Sequence, residues 1–247
     1  MSIFSVFYKP NKAVSAALSN PNLGLGTLLV LIYCVVSYLP YIYLGFAFDA
    51  YKFLLSIIFT LAGWILVSVI FYLIMAIIRG KSSKFVQGPA SFSGIMTAVS
   101  LVYLFFIVGG LVSVIAATSF SPQFVSVAKI SMEEGFNIQD TTKLTGIVSE
   151  KNTEELETFA NDKMLDVEKK DSLLQAMNYE GNILGNANML FWSVLLSLAL
   201  MILGFLFVFY PITSNLVKLG FLGNLIIFII AIVVFSYLGN LLINVFA

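Results

Sequence analysis

The sequence predicts an all-α membrane protein, a polytopic bundle of five transmembrane helices with a helical extracytoplasmic insertion between helices 3 and 4. Three observations lead there. Mean hydropathy is +0.98, and 60% of residues are apolar while only 11% are charged, against roughly a quarter charged in soluble domains. Five apolar runs are each long enough to cross a bilayer, a crossing needing about 20 residues for about 30 Å of hydrocarbon. The acids, finally, are segregated: of thirteen, all but Asp49 lie between Glu133 and Glu180.

The N-terminal segment, 1–22, mixes Phe4, Phe7 and Tyr8 with Lys9 and Lys12, a composition suited to the headgroup region. After Pro10 a short amphipathic helix through Val14, Ala17 and Leu18 is expected along the membrane surface, ended by Asn20-Pro21. Helices 1–3 occupy 23–118. Leu23 to Phe46 is longer than the apolar core of a secretory signal and no A-x-A site closely follows it, so it reads as the first crossing. Pro40 either bends that helix or ends it, and Tyr38, Tyr41 and Tyr43 around it are interfacial anchors. Phe53 to Ile78 and Phe92 to Thr118 are the second and third crossings, joined by a basic turn with Arg79, Lys81 and Lys84.

Between 119 and 188 the composition changes: twelve acids face six lysines, a net charge of −6. Asn152 with Glu155 reads as a capping box, after which Leu156, Phe159, Ala160 and Met164 recur on one helical face. A further helix carries Val167, Leu174 and Met177. A segment of this size predicts a helical hairpin leaning on the membrane part, without a core of its own. Helices 4 and 5 fill 189–247, as Met189 to Tyr210, closed by Pro211, and Leu222 to Phe246, with Lys218 between them.

Five crossings put Lys9, Lys12, Arg79, Lys81, Lys84 and Lys218 on one side, while the opposite short connection has only Lys52 beside Asp49. The positive-inside rule makes that side cytoplasmic. The N-terminus is then cytoplasmic, and the acidic segment and the C-terminus are extracytoplasmic.

Four stretches together are similar to the prokaryotic members of the Yip1 domain family: KPNKAVSAALSNPNLGLGTLLVLI, GWILVSVIFYLI running into RGKSSKF, the third crossing after it, and FWSVLLSLALMILG. The resemblance covers the five crossings, about two thirds of the chain. It implies a five-helix membrane domain with a cytoplasmic N-terminus. Eukaryotic relatives are associated with vesicle trafficking and Rab-type small GTPases.

Chemistry-bearing residues are scarce. The chain has no histidine, the commonest general base and metal ligand. Its one cysteine, Cys34, lies in an apolar run and reads as a packing residue. None of the crossings holds an ionisable Asp, Glu, Lys, Arg or His in its interior, and such residues mark proton relays and intramembrane catalysis. Gly80-Lys81-Ser82 resembles the end of a phosphate-binding loop, yet the position that loop needs as its first glycine is Met75. Glu133, Glu134 and Asp140 have no calcium-loop spacing and read as a solvated face. No catalytic residue, metal ligand or cofactor is expected, and the protein reads as non-enzymatic.

The residues singled out are structural. Arg79, Lys81 and Lys84 set topology and meet anionic headgroups, at about 1 kcal/mol per basic residue. Gly109, Ser113 and Ala117, every fourth residue of the third crossing, form a small-residue face for helix packing. Asn240 and Asn244 share a face near the outer end of the fifth crossing, where they reach interfacial water or another helix. Trp64 and Trp192 read as packing or interfacial residues.

Expected partners are the lipid bilayer, other membrane proteins and, through the small-residue face, a second copy of the chain; nucleic acid is not among them. The leading function is a membrane-organising or trafficking-type scaffold. The alternatives are a permease-like subunit for a neutral or lipid-like solute and an extracytoplasmic sensing module.

Overall fold

The computed structural model describes residues 3–44, 46, 48–81, 91–179, 183–216, 222, 223, 225, 226 and 229. The described residues are helical with no strand. Four helices are long and apolar enough to cross a membrane, over Leu23–Tyr43, Ala50–Ile77, Phe92–Ala117 and Gly185–Leu216. This is the architecture of an integral membrane protein. The fifth expected crossing, 222–246, lies outside the described residues except for 222, 223, 225, 226 and 229.

Two compact units can be distinguished: residues 1–37, 49–109 and 198–247 form one, and residues 38–48 and 110–197 the other.

The first unit starts with a 3-10 turn, Ile3–Phe7, and helix α1, Pro10–Ser19, which has proline at its first turn, where a missing N–H costs nothing. Ala13, Val14 and Leu18 of α1 are buried, and α1 packs on α4 (Phe92–Ser100). Val14 and Leu18 of the expected apolar face thus pack on protein, while Ala17 is half-buried. Gly94 allows the approach, since a Cβ there would sit 2.6 Å from the Leu18 carbonyl oxygen. Ser91 caps α4 by accepting the Gly94 N–H at 3.0 Å.

Helix α2 spans Leu23–Tyr43 with Pro40 inside it, so the helix continues past the proline. Helix α3, Ala50–Lys81, is longer than the apolar run and extends into the basic turn. The third apolar run is α4 and α5 (Val102–Ala117), meeting at Leu101. There the Leu101 N–H donates to Ala98 and the Leu104 N–H to Leu101, both at 3.2 Å; these i to i−3 bonds tighten the turn without ending the path.

Pro211 does not close the fourth run. Helix α10 spans Ile183–Leu216 and passes through it. One turn on, the Pro211 carbonyl accepts from Asn215 Nδ2 at 2.7 Å and from Ser214 Oγ at 3.2 Å.

The second unit replaces the expected hairpin with four helices, α6 (Pro122–Glu133), α7 (Ile138–Glu150), α8 (Thr153–Asp162) and α9 (Val167–Met177). Each begins at a side-chain cap: Ser121 for Phe124 N–H, Asn137 for Asp140 N–H, Asn152 for Glu155 N–H and Asp166 for Lys169 N–H. Three end in a left-handed residue, Gly135, Lys151 or Met164. Beyond each, an N–H reaches back five residues, Phe136 to Ser131, Asn152 to Ile147 and Leu165 to Ala160. These are Schellman endings.

The four helices enclose a core of Phe124, Val127, Ile130, Leu144, Ile147, Val148, Leu156, Phe159, Leu173 and Met177, joined by Ile183. Met164, expected on the buried face, is 90% exposed, because the helix has ended and its left-handed backbone turns it outward. Val167, at the first position of α9, is also exposed, and Leu173 takes the core position.

Candidate functional site

In the first unit, polar side chains are placed by helix geometry before any function is considered. Ser68, Thr97, Ser100 and Thr213 are buried; each hydroxyl donates to a carbonyl one turn earlier in its own helix, at 2.7–2.9 Å. Between helices, the Trp64 indole N–H donates to the Met96 carbonyl at 2.9 Å, and the Asn22 N–H to Thr97 Oγ1 at 3.1 Å.

Beside Trp64 lies a pocket of about 290 Å³, lined by Tyr33 of α2, by Phe59, Thr60, Gly63, Trp64 and Val67 of α3, by Val99, Val102, Tyr103 and Phe106 of α4 and α5, and by Phe205 and Phe209 of α10. Tyr33 is the central residue of Leu23–Tyr43, Gly63 and Trp64 straddle the middle of Ala50–Ile77, and Tyr103 adjoins the middle of Phe92–Ala117. The aromatic rings contact one another in a chain: Tyr33 with Tyr103 at 5.4 Å between centroids, Tyr33 with Phe106 at 5.6 Å, Phe106 with Phe205 at 5.6 Å and Phe205 with Phe209 at 5.1 Å. Such tilted and edge-on arrangements stabilise a wall beyond simple burial.

Among the described residues no charged side chain lines this pocket. Among the described residues its polar side chains are Thr60 and Trp64, which donate to the Ser56 and Met96 carbonyls, Tyr103, whose hydroxyl reaches the Thr60 carbonyl only at 3.5 Å, and Tyr33, for whose hydroxyl no described residue is a hydrogen-bond partner. A Cβ built on Gly63 meets nothing within 4 Å. The arrangement can hold an uncharged molecule and offers it donors. The signal in the sequence is the position of Tyr33, Trp64 and Tyr103 at mid-run, since such residues gather at membrane interfaces.

The second unit offers a surface. Its α6–α7 and α8–α9 turns lie side by side, joined by Lys163 to Asp140 at 2.7 Å and by Lys169 to Glu134, with the Phe136 ring against Phe159 at 5.7 Å. These turns display Met132, Ile138, Met164 and Val167, all exposed. Around them stand Glu133, Glu134, Asp140, Asp162, Asp166 and Glu168 against Lys163 and Lys169. The Asp166 carboxyl is held below the ordinary Asp range, chiefly by the Lys169 backbone N–H it accepts. The Lys169 ammonium is held above its ordinary value, chiefly by its hydrogen bond to Glu134. The two turns therefore expose four large apolar side chains among mostly acidic neighbours.

Of the residues singled out from sequence, Arg79 and Lys81 end α3 with side chains outside the described set, and Lys84, Asn240 and Asn244 lie outside it altogether. Gly109 and Ala117 are buried on α5, and between them the Ser113 hydroxyl meets that of Ser197, on α10, at 3.2 Å. The described residues hold no group of three or more Cys, Asp or Glu side chains placed to bind a metal. Comparison with family models, with curated proteins and with solved structures finds no match to this chain.

Proposed function

We propose that this chain is a non-enzymatic, five-crossing membrane protein of Yip1-like type that organises the membrane by binding other proteins. The N-terminus and the turn with Arg79, Lys81 and Lys84 face the cytoplasm, and α6–α9 face outward or into a lumen. The observation that carries the reading is the second unit. Four capped helices with their own core hold Met132, Ile138, Met164 and Val167 in the open, and a monomer has no reason to fix four large apolar side chains there unless something covers them. The acidic neighbours of these side chains favour a partner with an apolar centre and basic surroundings.

The test is a photoreactive residue at Val167 in intact membranes, with one at exposed Thr158 as control. A discrete protein adduct at Val167 alone, lost on Met164→Glu, is expected. Absence of any adduct, together with solute flux in proteoliposomes that Ser113→Leu abolishes, overturns the reading. Orientation is checked separately in a Cys34→Ala background: Lys143→Cys is labelled by an impermeant reagent from outside, and Lys12→Cys is not.

The permease-like reading finds support in the aromatic pocket. Among the described residues, however, its polar lining is confined to Tyr33, Thr60, Trp64 and Tyr103, which suits retention of a ligand better than a polar path.

A further inference from the structure

We infer that the aromatic pocket between α2, α3, α5 and α10 is a binding site for an uncharged, ring-bearing lipid with a hydrogen-bonding oxygen. The inference does not depend on the partner-binding reading; it requires only that these helices cross a bilayer.

Position is the first argument. Tyr33, Trp64 and Tyr103 lie at the middle of their spans, where the solvent is hydrocarbon and an unpaired hydroxyl is costly. The Trp64 N–H is satisfied by Met96. The Tyr33 hydroxyl is not satisfied by any described residue, and that of Tyr103 has only a 3.5 Å contact to Thr60. Both phenols line the pocket, with their rings 5.4 Å apart between centroids, and a ligand oxygen there would give either one a partner.

Shape and walls define the rest of the ligand. A volume of about 290 Å³ is at the small end of ligand sites, so it admits a head and leaves a chain outside. Phe59 lines the site and is 42% exposed, giving such a chain a way to the surrounding lipid. Ring faces and edges on several sides favour a planar group over a flexible acyl chain, because stacked rings keep their contacts at small entropic cost. Among the described residues the lining has no charge, which disfavours a phosphate or ammonium head, since burying one without a partner is costly.

Gly63 supplies the decisive variant. It lines the pocket, and a Cβ there meets nothing within 4 Å, so Gly63→Ala adds a methyl without displacing the helix and Gly63→Leu adds a larger apolar side chain at the same point. The protein has two tryptophans, and Trp192→Phe leaves Trp64, a lining residue, as the only indole. The full chain is reconstituted in phosphatidylcholine vesicles and titrated with a decyl-benzoquinone, a ring-bearing quencher, with brominated phosphatidylcholine as the bulk-lipid control.

Saturable quenching of Trp64 by the quinone is expected. Its midpoint should weaken about tenfold or more in Gly63→Leu and about fivefold in Tyr33→Phe, the loss of one ligand hydrogen bond. Gly63→Ala, with unchanged thermal stability, should fall between wild type and Gly63→Leu. Quenching that rises linearly with quinone content and is the same in Gly63→Leu means partition only and overturns the site. Equal competition by phosphatidylcholine overturns the ligand class.

Discussion

The indole N–H of Trp64 donates to the backbone carbonyl of Met96 at 2.9 Å, joining the middle of α3 to α4. The same ring limits α2, since a Cβ on Gly26 would lie 2.9 Å from Trp64 Cζ2. Trp64 therefore couples three helices. Trp64→Phe is expected to cost about 0.6 kcal/mol for the interhelical bond, plus whatever cavity the smaller ring leaves. Gly26→Ala should be destabilising in wild type and less so in Trp64→Phe, with a coupling on the order of 0.5–3 kcal/mol. Unfolding in mixed micelles measures the cycle, and strict additivity would show that the two sites do not share the ring.

Two glycines should respond in opposite directions. At Gly94 an added methyl meets the Leu18 carbonyl oxygen at 2.6 Å, a backbone atom that cannot turn aside. Gly94→Ala is expected to destabilise the first unit by about 1–3 kcal/mol. Gly146, inside α7, has nothing within 4 Å of an added Cβ. Gly146→Ala should stabilise by about 0.5–1 kcal/mol through the lost backbone freedom of glycine in the unfolded chain. Thermal unfolding distinguishes the signs.

Leu156 and Met164 look equivalent by helical spacing and should behave differently. Leu156 is fully buried while Met164 is 90% exposed. Leu156→Ala should cost about 2–5 kcal/mol, and Met164→Ser should remain within about 0.5 kcal/mol. Chemical denaturation followed by far-UV circular dichroism checks both.

The second unit should have stability edges at both ends of the pH scale. Asp166 has a depressed folded value, so its contribution is present above about pH 3.9, the unfolded value, and is lost as pH falls through the lower folded one. Lys169 has a raised folded value, so its contribution is present below about pH 10.4 and is lost as pH rises through the higher folded one. Asp166→Asn keeps a capping oxygen without the charge. The advantage of wild type over this variant at neutral pH should vanish at the acid edge. An advantage that persists in acid would mean that the charge is not its source.

Local chemistry made part of the second unit legible in the sequence. The Asn152 cap and the core positions Leu156, Phe159 and Ala160 follow from spacing within a single helix, and the structure has them. The same spacing failed at Met164, because a Schellman ending depends on a left-handed residue that here is not glycine. It also failed for the unit as a whole. The caps at Ser121, Asn137 and Asp166 divide the acidic stretch into helices too short to display a strong period, and their shared core exists only when all four meet.

By itself the sequence determined that this chain enters a membrane, and where four of its apolar helices run. A run of some twenty apolar residues in hydrocarbon has to satisfy its own backbone, and a helix does so with neighbours four residues away. Only tertiary structure decided what those helices enclose. Tyr103 and Thr60 are 43 residues apart, and Trp64 and Met96 are 32 apart. Their meeting depends on which faces of nearly uniformly apolar helices turn inward, and in such helices no polar stripe marks the buried side. Close approach at Gly26, Gly94 and Gly204 fixes those faces, and with them an aromatic pocket that no single segment contains.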